Sequence, residues 1–348
     1  MNSRQFSKLV SYLSKNYQIY ATQEENGQVV IDELHDAKKA VLDNRLPFYS
    51  WKRFFVPECE SLFEYDGVSL TPSSREQGKQ TVLLGINFVD LKSIILYDRV
   101  FAADTYYQGR RNNLLIIAHN FLPGPENNLA HVEYKEENLK QYSFDVFLAA
   151  QENSVIGHKK TEIEYRVFAG SEKGEKVLRE SGYKDYQRIE CLGLLSEDRS
   201  GSAMNVFRDK LTNHHNPKIW EELGRRCIEC GKCTIVCPTC FCFRLDDTPS
   251  LEVGQGQRQR CWDACFYQEF SEVAGPSTGS TGSPQAGSGQ APKFLKTTAE
   301  KIHFWYYHKF ARIPDEHSIT GCVGCHRCYQ VCPVGIDIKK VLEDVYNS

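Results

Sequence analysis

The sequence predicts an α+β protein in two parts: a mixed α/β N-terminal domain over residues 1–200 and an α-helical domain over 201–348. Three observations carry that division. Upstream, compact apolar runs alternate with helix-patterned stretches, the rhythm of a partly parallel sheet covered by helices. Downstream, apolar residues recur at helical spacing. Twelve of the fourteen cysteines also lie beyond residue 226, so the two parts are chemically unlike.

In chain order, Phe6, Leu9, Val10 and Leu13 fall on one face of an opening helix. Short strands over 18–21 and 29–31 flank a polar turn at Glu25-Asn26-Gly27. Residues 46–67, rich in aromatics and broken by Pro47 and Pro57, read as a loop and strand packing a small core, with Cys59 as a buried small hydrophobe. Strands follow over 81–86, 114–118, 144–149 and 161–169, with helices over 89–97 and 176–181. Gly85 ends a strand, but no G-x-G-x-x-G follows it, so a dinucleotide loop is excluded. The segment Asp104–Arg111 (DTYYQGRR) reads as a solvated surface turn or as an anion or carboxylate contact.

The second part begins with Met204, Phe207 and Leu211 on one helical face. A helix opening at Asn216-Pro217 then runs directly into Cys227. Residues 275–292 are Gly, Ser, Pro and Thr rich without a large apolar side chain and read as a flexible interruption. Helices resume over 294–310, followed by a turn at Ile313-Pro314-Asp315, and over 336–346.

The chain is 348 residues with a formal net charge of −3, which gives no reason to expect nucleic acid or an anionic membrane as partner. No apolar run reaches the ~20 residues that span a bilayer, and no secretory signal opens the chain. The expected location is the cytosol, where disulfides are not expected.

Two runs share the spacing C-x2-C-x2-C-x3-C-P: Cys227, Cys230, Cys233, Cys237, Pro238 and Cys322, Cys325, Cys328, Cys332, Pro333. Thiolates are the soft ligands of iron–sulfur clusters, and this spacing is that of bacterial two-cluster ferredoxins. There the fourth cysteine of each run serves the other cluster. The expected sets are Cys227, Cys230, Cys233 and Cys332 for one [4Fe–4S] cluster and Cys237, Cys322, Cys325 and Cys328 for the other. Zinc takes four ligands, usually as two pairs, and fits two complete runs poorly; a zinc-stabilised scaffold without redox role is the competing reading. Cys240, Cys242, Cys261 and Cys265 match no ligand motif and read either as an additional metal site or as packed thiols. Arg225, Arg226, Lys232, Arg258 and Arg260 surround them, as tuning or docking charges or as plain surface. His119, His131 and His308 have no ligand companion and read as structural. No catalytic constellation is visible, so turnover by this chain alone is not expected.

The pattern RCIECGKCTIVCPTCFCF, then WDAC, then an HK-containing helix, then GCVGCHRCYQVCPVGIDI resembles one family. This is the iron–sulfur protein shared by cytosolic [NiFe] sulfhydrogenases, where it is the β subunit, and by anaerobic sulfite reductase. SWKRFFVPECESLFEY and DTYYQGRR look like its N-terminal domain. The resemblance implies an α-helical ferredoxin module that passes electrons between a flavin subunit using NAD(P)H and a hydrogenase or sulfite reductase catalytic subunit. It implies a specific role for Cys240, Cys242 and Cys265. Where relatives carry further cysteines, this chain has Val89, Asn120-Phe121 and Leu129-Ala130-His131.

Overall fold

The computed structural model describes residues 1–42, 45–73, 79–120, 135–151, 164–193, 202–213, 216–273 and 293–348, the side chains of 202–205 aside. The boundary near residue 200, the interruption at 275–292 and His131 lie outside the described residues.

The N-terminal elements are α1 (Ser3–Asn16), β1 (Gln18–Glu25), β2 (Gln28–Glu33), α2 (Lys52–Phe55), β3 (Cys59–Tyr65), β4 (Leu70–Pro72), β5 (Thr81–Asn87), α3 (Phe88–Val100), α4 (Thr105–Asn113), β6 (Leu114–His119), β7 (Val146–Ala150), β8 (Tyr165–Ala169), α5 (Glu172–Glu180) and β9 (Gln187–Arg188). Seven strands form a mixed sheet in the order β2-β1-β5-β6-β7-β8-β9, parallel from β1 through β7. The strands predicted over 18–21, 29–31, 81–86, 114–118, 144–149 and 161–169 belong to it where the structure describes them, whereas the strand expected within 46–67 is β3 of a second sheet. The central strands are buried on both faces, which is why they read as continuous apolar runs. Val82, Leu84, Leu115 and Ile117 pack toward α1 and α5, while Leu83, Ile86, Ile116 and Phe147 pack toward α3.

Gly85 has its reason here. It sits in a register shift of β5 against β6 at φ +97°, and the extra residue turns Ile86 onto the same face as Leu83. A Cβ at Gly85 would also meet Thr22 Oγ1 at 2.5 Å. Gly85→Ala is therefore expected to destabilise the fold by about 2 kcal/mol through backbone strain and crowding, read as a lower denaturation midpoint.

The C-terminal elements are α6 (Ser202–Thr212), α7 (Pro217–Arg226), α8 (Lys232–Ile235), β10 (Phe243–Pro249), β11 (Gly256–Trp262), α9 (Thr298–Tyr307), α10 (Ile313–His317), α11 (Arg327–Gln330) and α12 (Ile338–Asn347). A π-helical turn over His308–Arg312 joins α9 to α10, so the turn expected at Ile313-Pro314-Asp315 is instead helix, with Pro314 accommodated in its first turn. Trp220, Leu223, Ile302, Trp305, Tyr306, Ile338 and Val341 form the core of this part.

The hairpin β10–β11 was not anticipated from the sequence. It completes a four-stranded antiparallel sheet, β10-β11-β3-β4, so two strands from each half share one sheet. Its isolated pattern is weak because β10 is an exposed edge strand with charges on both faces.

The segment DTYYQGRR is not a solvated turn: it forms α4, capped by Asp104, with Tyr107 fully buried, and its arginine pair contacts carboxylates of this chain. Arg110 pairs with Glu60, and Arg111 donates to Asp98 at 3.1 Å. Arg260 from β11 joins this group through Glu60 and Asp104, both at 2.5 Å. These contacts bind the two halves.

Candidate metal centre

The two cysteine runs fold as repeats of one local structure. Helix α7 ends on Cys227, whose N–H donates to Leu223 O at 2.9 Å. In each run the residues immediately flanking the second cysteine are left-handed: Glu229 (φ 55°) and Gly231 (φ 68°) in the first, Gly324 (φ 72°) and His326 (φ 60°) in the second. This curls the chain so that backbone donors face sulfur. Glu229 N–H lies 3.4 Å from Cys227 Sγ, and Gly324 N–H lies 3.4 Å from Cys322 Sγ. Ile336 N–H donates to Cys332 Sγ at 3.3 Å. Short helices α8 and α11 follow, and each presents the fourth cysteine before proline.

Two of the left-handed residues are not glycine, and such strain persists only where neighbours over-determine it. Glu229 accepts from Lys301 Nζ and Thr298 Oγ1, both at 2.7 Å. His326 Nε2 contacts Asp337 Oδ1 at 3.0 Å.

The runs interleave. Cys227, Cys230 and Cys233 line an apolar cavity together with Cys332 of the other run, and with Phe266, Ile302, Trp305, Tyr306 and Ile336. Cys328 also borders it. Cys237 turns away, and its charge bears on Cys322, Cys325 and Cys328. Burial raises the thiols of Cys322 and Cys328 and pushes Cys325 up to about 12. As free thiols they hold their protons, which metal loading must displace.

These residues fit iron–sulfur clusters. Four of the five cysteines around the apolar cavity, Cys227, Cys230, Cys233 and Cys332, would suffice for a cage of four irons. Among the described residues, Trp305 Nε1 and Tyr306 Oη are buried donors without a protein partner, and both residues line that cavity.

The surroundings of the runs differ. Cys230 and Ile228 of the first are exposed, whereas Cys325 and Cys237 are buried. Beside the second run lies Arg327, 1% exposed, which donates to both oxygens of Asp90 at 2.7 and 2.8 Å and to Pro47 O at 2.9 Å. Asp90 comes from the first turn of α3, so the N-terminal half packs directly on this loop, with Val89 against Val323 and Cys325. Tyr97 of α3 donates to Pro238 O. Besides Lys301, Lys309 is buried against Cys237, and Lys52 is buried with its ammonium 3.9 Å above the Trp262 ring. None of Asp90, Lys52, Lys309 or Tyr306 was singled out from sequence; only the HK dipeptide in an aromatic helix carried a signal.

The four cysteines outside the runs part company. Cys240 lies against Cys237, and its hydrogen bond, then Lys309 and Thr239, hold Cys237 well below the usual thiol range despite burial. Cys242 is near Lys309 and Lys52, and Cys265 is beside Cys242 and Cys233. Cys261 is elsewhere. It is disulfide-bonded to Cys59, its in-register neighbour across β11 and β3. This corrects three expectations: Cys59 is exposed rather than buried, one disulfide is present, and Cys261 does not join Cys240, Cys242 and Cys265. The cause is sheet register, which places residues 202 apart in sequence side by side.

The basic residues near the runs are also mostly engaged. Arg260 is the buried partner of Glu60, Arg258 pairs with Asp247 at 2.6 Å, and Arg226 donates to Val334 O at 3.1 Å. His119 is a buried sheet residue touching Asn120 O at 2.9 Å.

His308 is stacked on Phe304 and edge-on to Phe241. Burial first, then the charges of Lys309 and Arg312, lower its pKa from 6.5 to about 4. The unfolded chain binds that proton more tightly, so stability should fall as pH drops from about 6.5 toward 4, by up to about 3 kcal/mol. In urea titrations across that range, His308→Phe should flatten this part of the loss.

A family of 4Fe–4S dicluster domains matches residues 226–336, the span that holds both runs. The chain is also similar end to end to sulfhydrogenase 2 subunit beta of Pyrococcus furiosus. The two are 26% identical over 356 residues, covering 99% of this chain and 97% of that one. No solved structure gives a significant match. Among the described residues no helix is long and apolar enough to cross a membrane.

Proposed function

We propose a specific relay, taking as premise that this chain belongs to the family of sulfhydrogenase-type iron–sulfur β subunits and is an electron-transfer subunit carrying 4Fe–4S chemistry. The reading is that it holds two [4Fe–4S] clusters and passes single electrons between a flavin subunit linked to NAD(P)H and a [NiFe] hydrogenase catalytic subunit. Cys227, Cys230, Cys233 and Cys332 would hold one cluster; Cys237, Cys322, Cys325 and Cys328 would hold the other. The observation that supports this most is the cavity shared by three cysteines of one run and the fourth of the other. Bound clusters supply one-electron carriers. The chain's own residues supply the thiolates, the N–H donors to sulfur, and an apolar enclosure that limits water.

Anaerobic reconstitution followed by iron, sulfide and EPR analysis tests the cofactor reading. About eight Fe and eight sulfide per chain support two clusters, and zinc without sulfide overturns them. An anaerobic pull-down from the native host tests the partners. Co-purifying flavin and nickel–iron subunits support the hydrogenase relay, and a sulfite-reducing partner replaces it.

A further inference from the structure

Lys309 is 2% exposed, yet each direction of its ammonium is occupied. Nζ lies 3.2 Å from Cys237 Sγ, 3.1 Å from Thr239 Oγ1 and 3.1 Å from Gly321 O. An ammonium has three donors, and here three acceptors meet them. The Trp305 ring, its centroid 5.1 Å away, covers the remaining side. The position is built rather than incidental. Lys309 belongs to the π-helical turn between α9 and α10, a distortion often found at functional sites. Its carbonyl accepts from Gly321 N–H at 2.9 Å, immediately before Cys322. Thr239 Oγ1 donates to Gly321 O at 2.7 Å, so Thr239 turns a lone pair toward the lysine.

Among the described residues, the other fourth-position cysteine shows no lysine or arginine hydrogen-bonded to its sulfur. Cys332 is half-buried and receives Ile336 N–H, a neutral donor, beside a largely apolar cavity. The two runs repeat one backbone but differ by one buried positive charge at equivalent sulfurs.

We propose that Lys309 sets the reduction potential of the cluster held by Cys237, Cys322, Cys325 and Cys328, raising it above that of the neighbouring cluster. Reduction adds one electron and hence one negative charge to a cluster. A fixed ammonium at hydrogen-bond distance from a ligand sulfur stabilises that reduced form more than the oxidised one. The resulting step in potential favours electron residence at the buried cluster beside α3 over the one near the exposed Cys230. This inference rests on the crossed ligand sets proposed above.

The test is an EPR-monitored redox titration of reconstituted full-length chain, wild type against Lys309→Met. The wild type should show two midpoints. In Lys309→Met the higher one should fall by about 59 mV, a tenfold change in the reduced-to-oxidised ratio for one electron, while the lower stays put. Lys309→Arg, which keeps the charge, should restore most of the difference. If Lys309→Met loses iron, Lys309→Gln is read instead, as a donor without charge, with the same fall expected. Two clusters with both midpoints unmoved in the uncharged variant, or movement of the lower one, would overturn the role of Lys309 and mark it as structural. A wild type without two clusters would instead defeat the ligand sets on which it rests.

Discussion

Cys237→Ser will remove the cluster held by the opposite run and leave its own run's cluster in place. Cys237 lies in the first run, yet it does not line the cavity of Cys227, Cys230 and Cys233, and its charge bears on Cys322, Cys325 and Cys328. The reciprocal variant, Cys332→Ser, should empty the cavity lined by Cys227, Cys230 and Cys233. Each variant should retain about four Fe in place of about eight. The two should lose different EPR signals, and only Cys332→Ser should affect the cluster nearest the exposed Cys230. Iron lost from the local run alone would refute the crossing. Because each crossing ligand ties distant segments together, both variants should also lose thermal stability in the loaded form, since cluster binding favours the folded state.

Asp90→Ala should be among the most destabilising single substitutions in the chain. It leaves the Arg327 guanidinium buried at 1% exposure without its carboxylate. Breaking a buried pair by removing one partner typically costs about 3–5 kcal/mol. The double variant Asp90→Leu with Arg327→Met should recover much of that, because replacing both partners with apolar groups removes the unpaired charge. Chemical denaturation of the wild type, Asp90→Leu, Arg327→Met and the double variant gives the comparison, with Asp90→Ala alongside. Asp90→Ala should also weaken retention of the second cluster, because Arg327 lies between Cys325 and Cys328 and its release frees the loop. Equal stability of the single and double variants would show that the pair does not hold this contact.

The chemistry was legible because it is local. Spacing alone, C-x2-C-x2-C-x3-C-P twice over, signals 4Fe–4S chemistry. The central strands were legible because burial on both faces leaves unbroken apolar runs, as at Leu114–His119. The hairpin β10–β11 was not, because its exposed, charged edge carries little periodic signal. Asp104–Arg111 looked like a surface loop because polar residues dominate it. Two of their partners, Glu60 and Arg260, are 50 and 156 positions away in sequence, so the packing that buries this helix was hidden.

From residue order came the two cysteine runs, the cofactor class they imply and the alternation of strands and helices. All of these are patterns within a few residues, where backbone geometry sets the spacing. Folding in three dimensions alone paired Cys59 with Cys261, set Asp90 under Arg327 and placed the Lys309 ammonium at Cys237. Each of those joins residues tens to hundreds of positions apart, and no local rule encodes which distant side chains meet. The two runs have the same spacing; their different burial and charge come from what the rest of the chain packs around them.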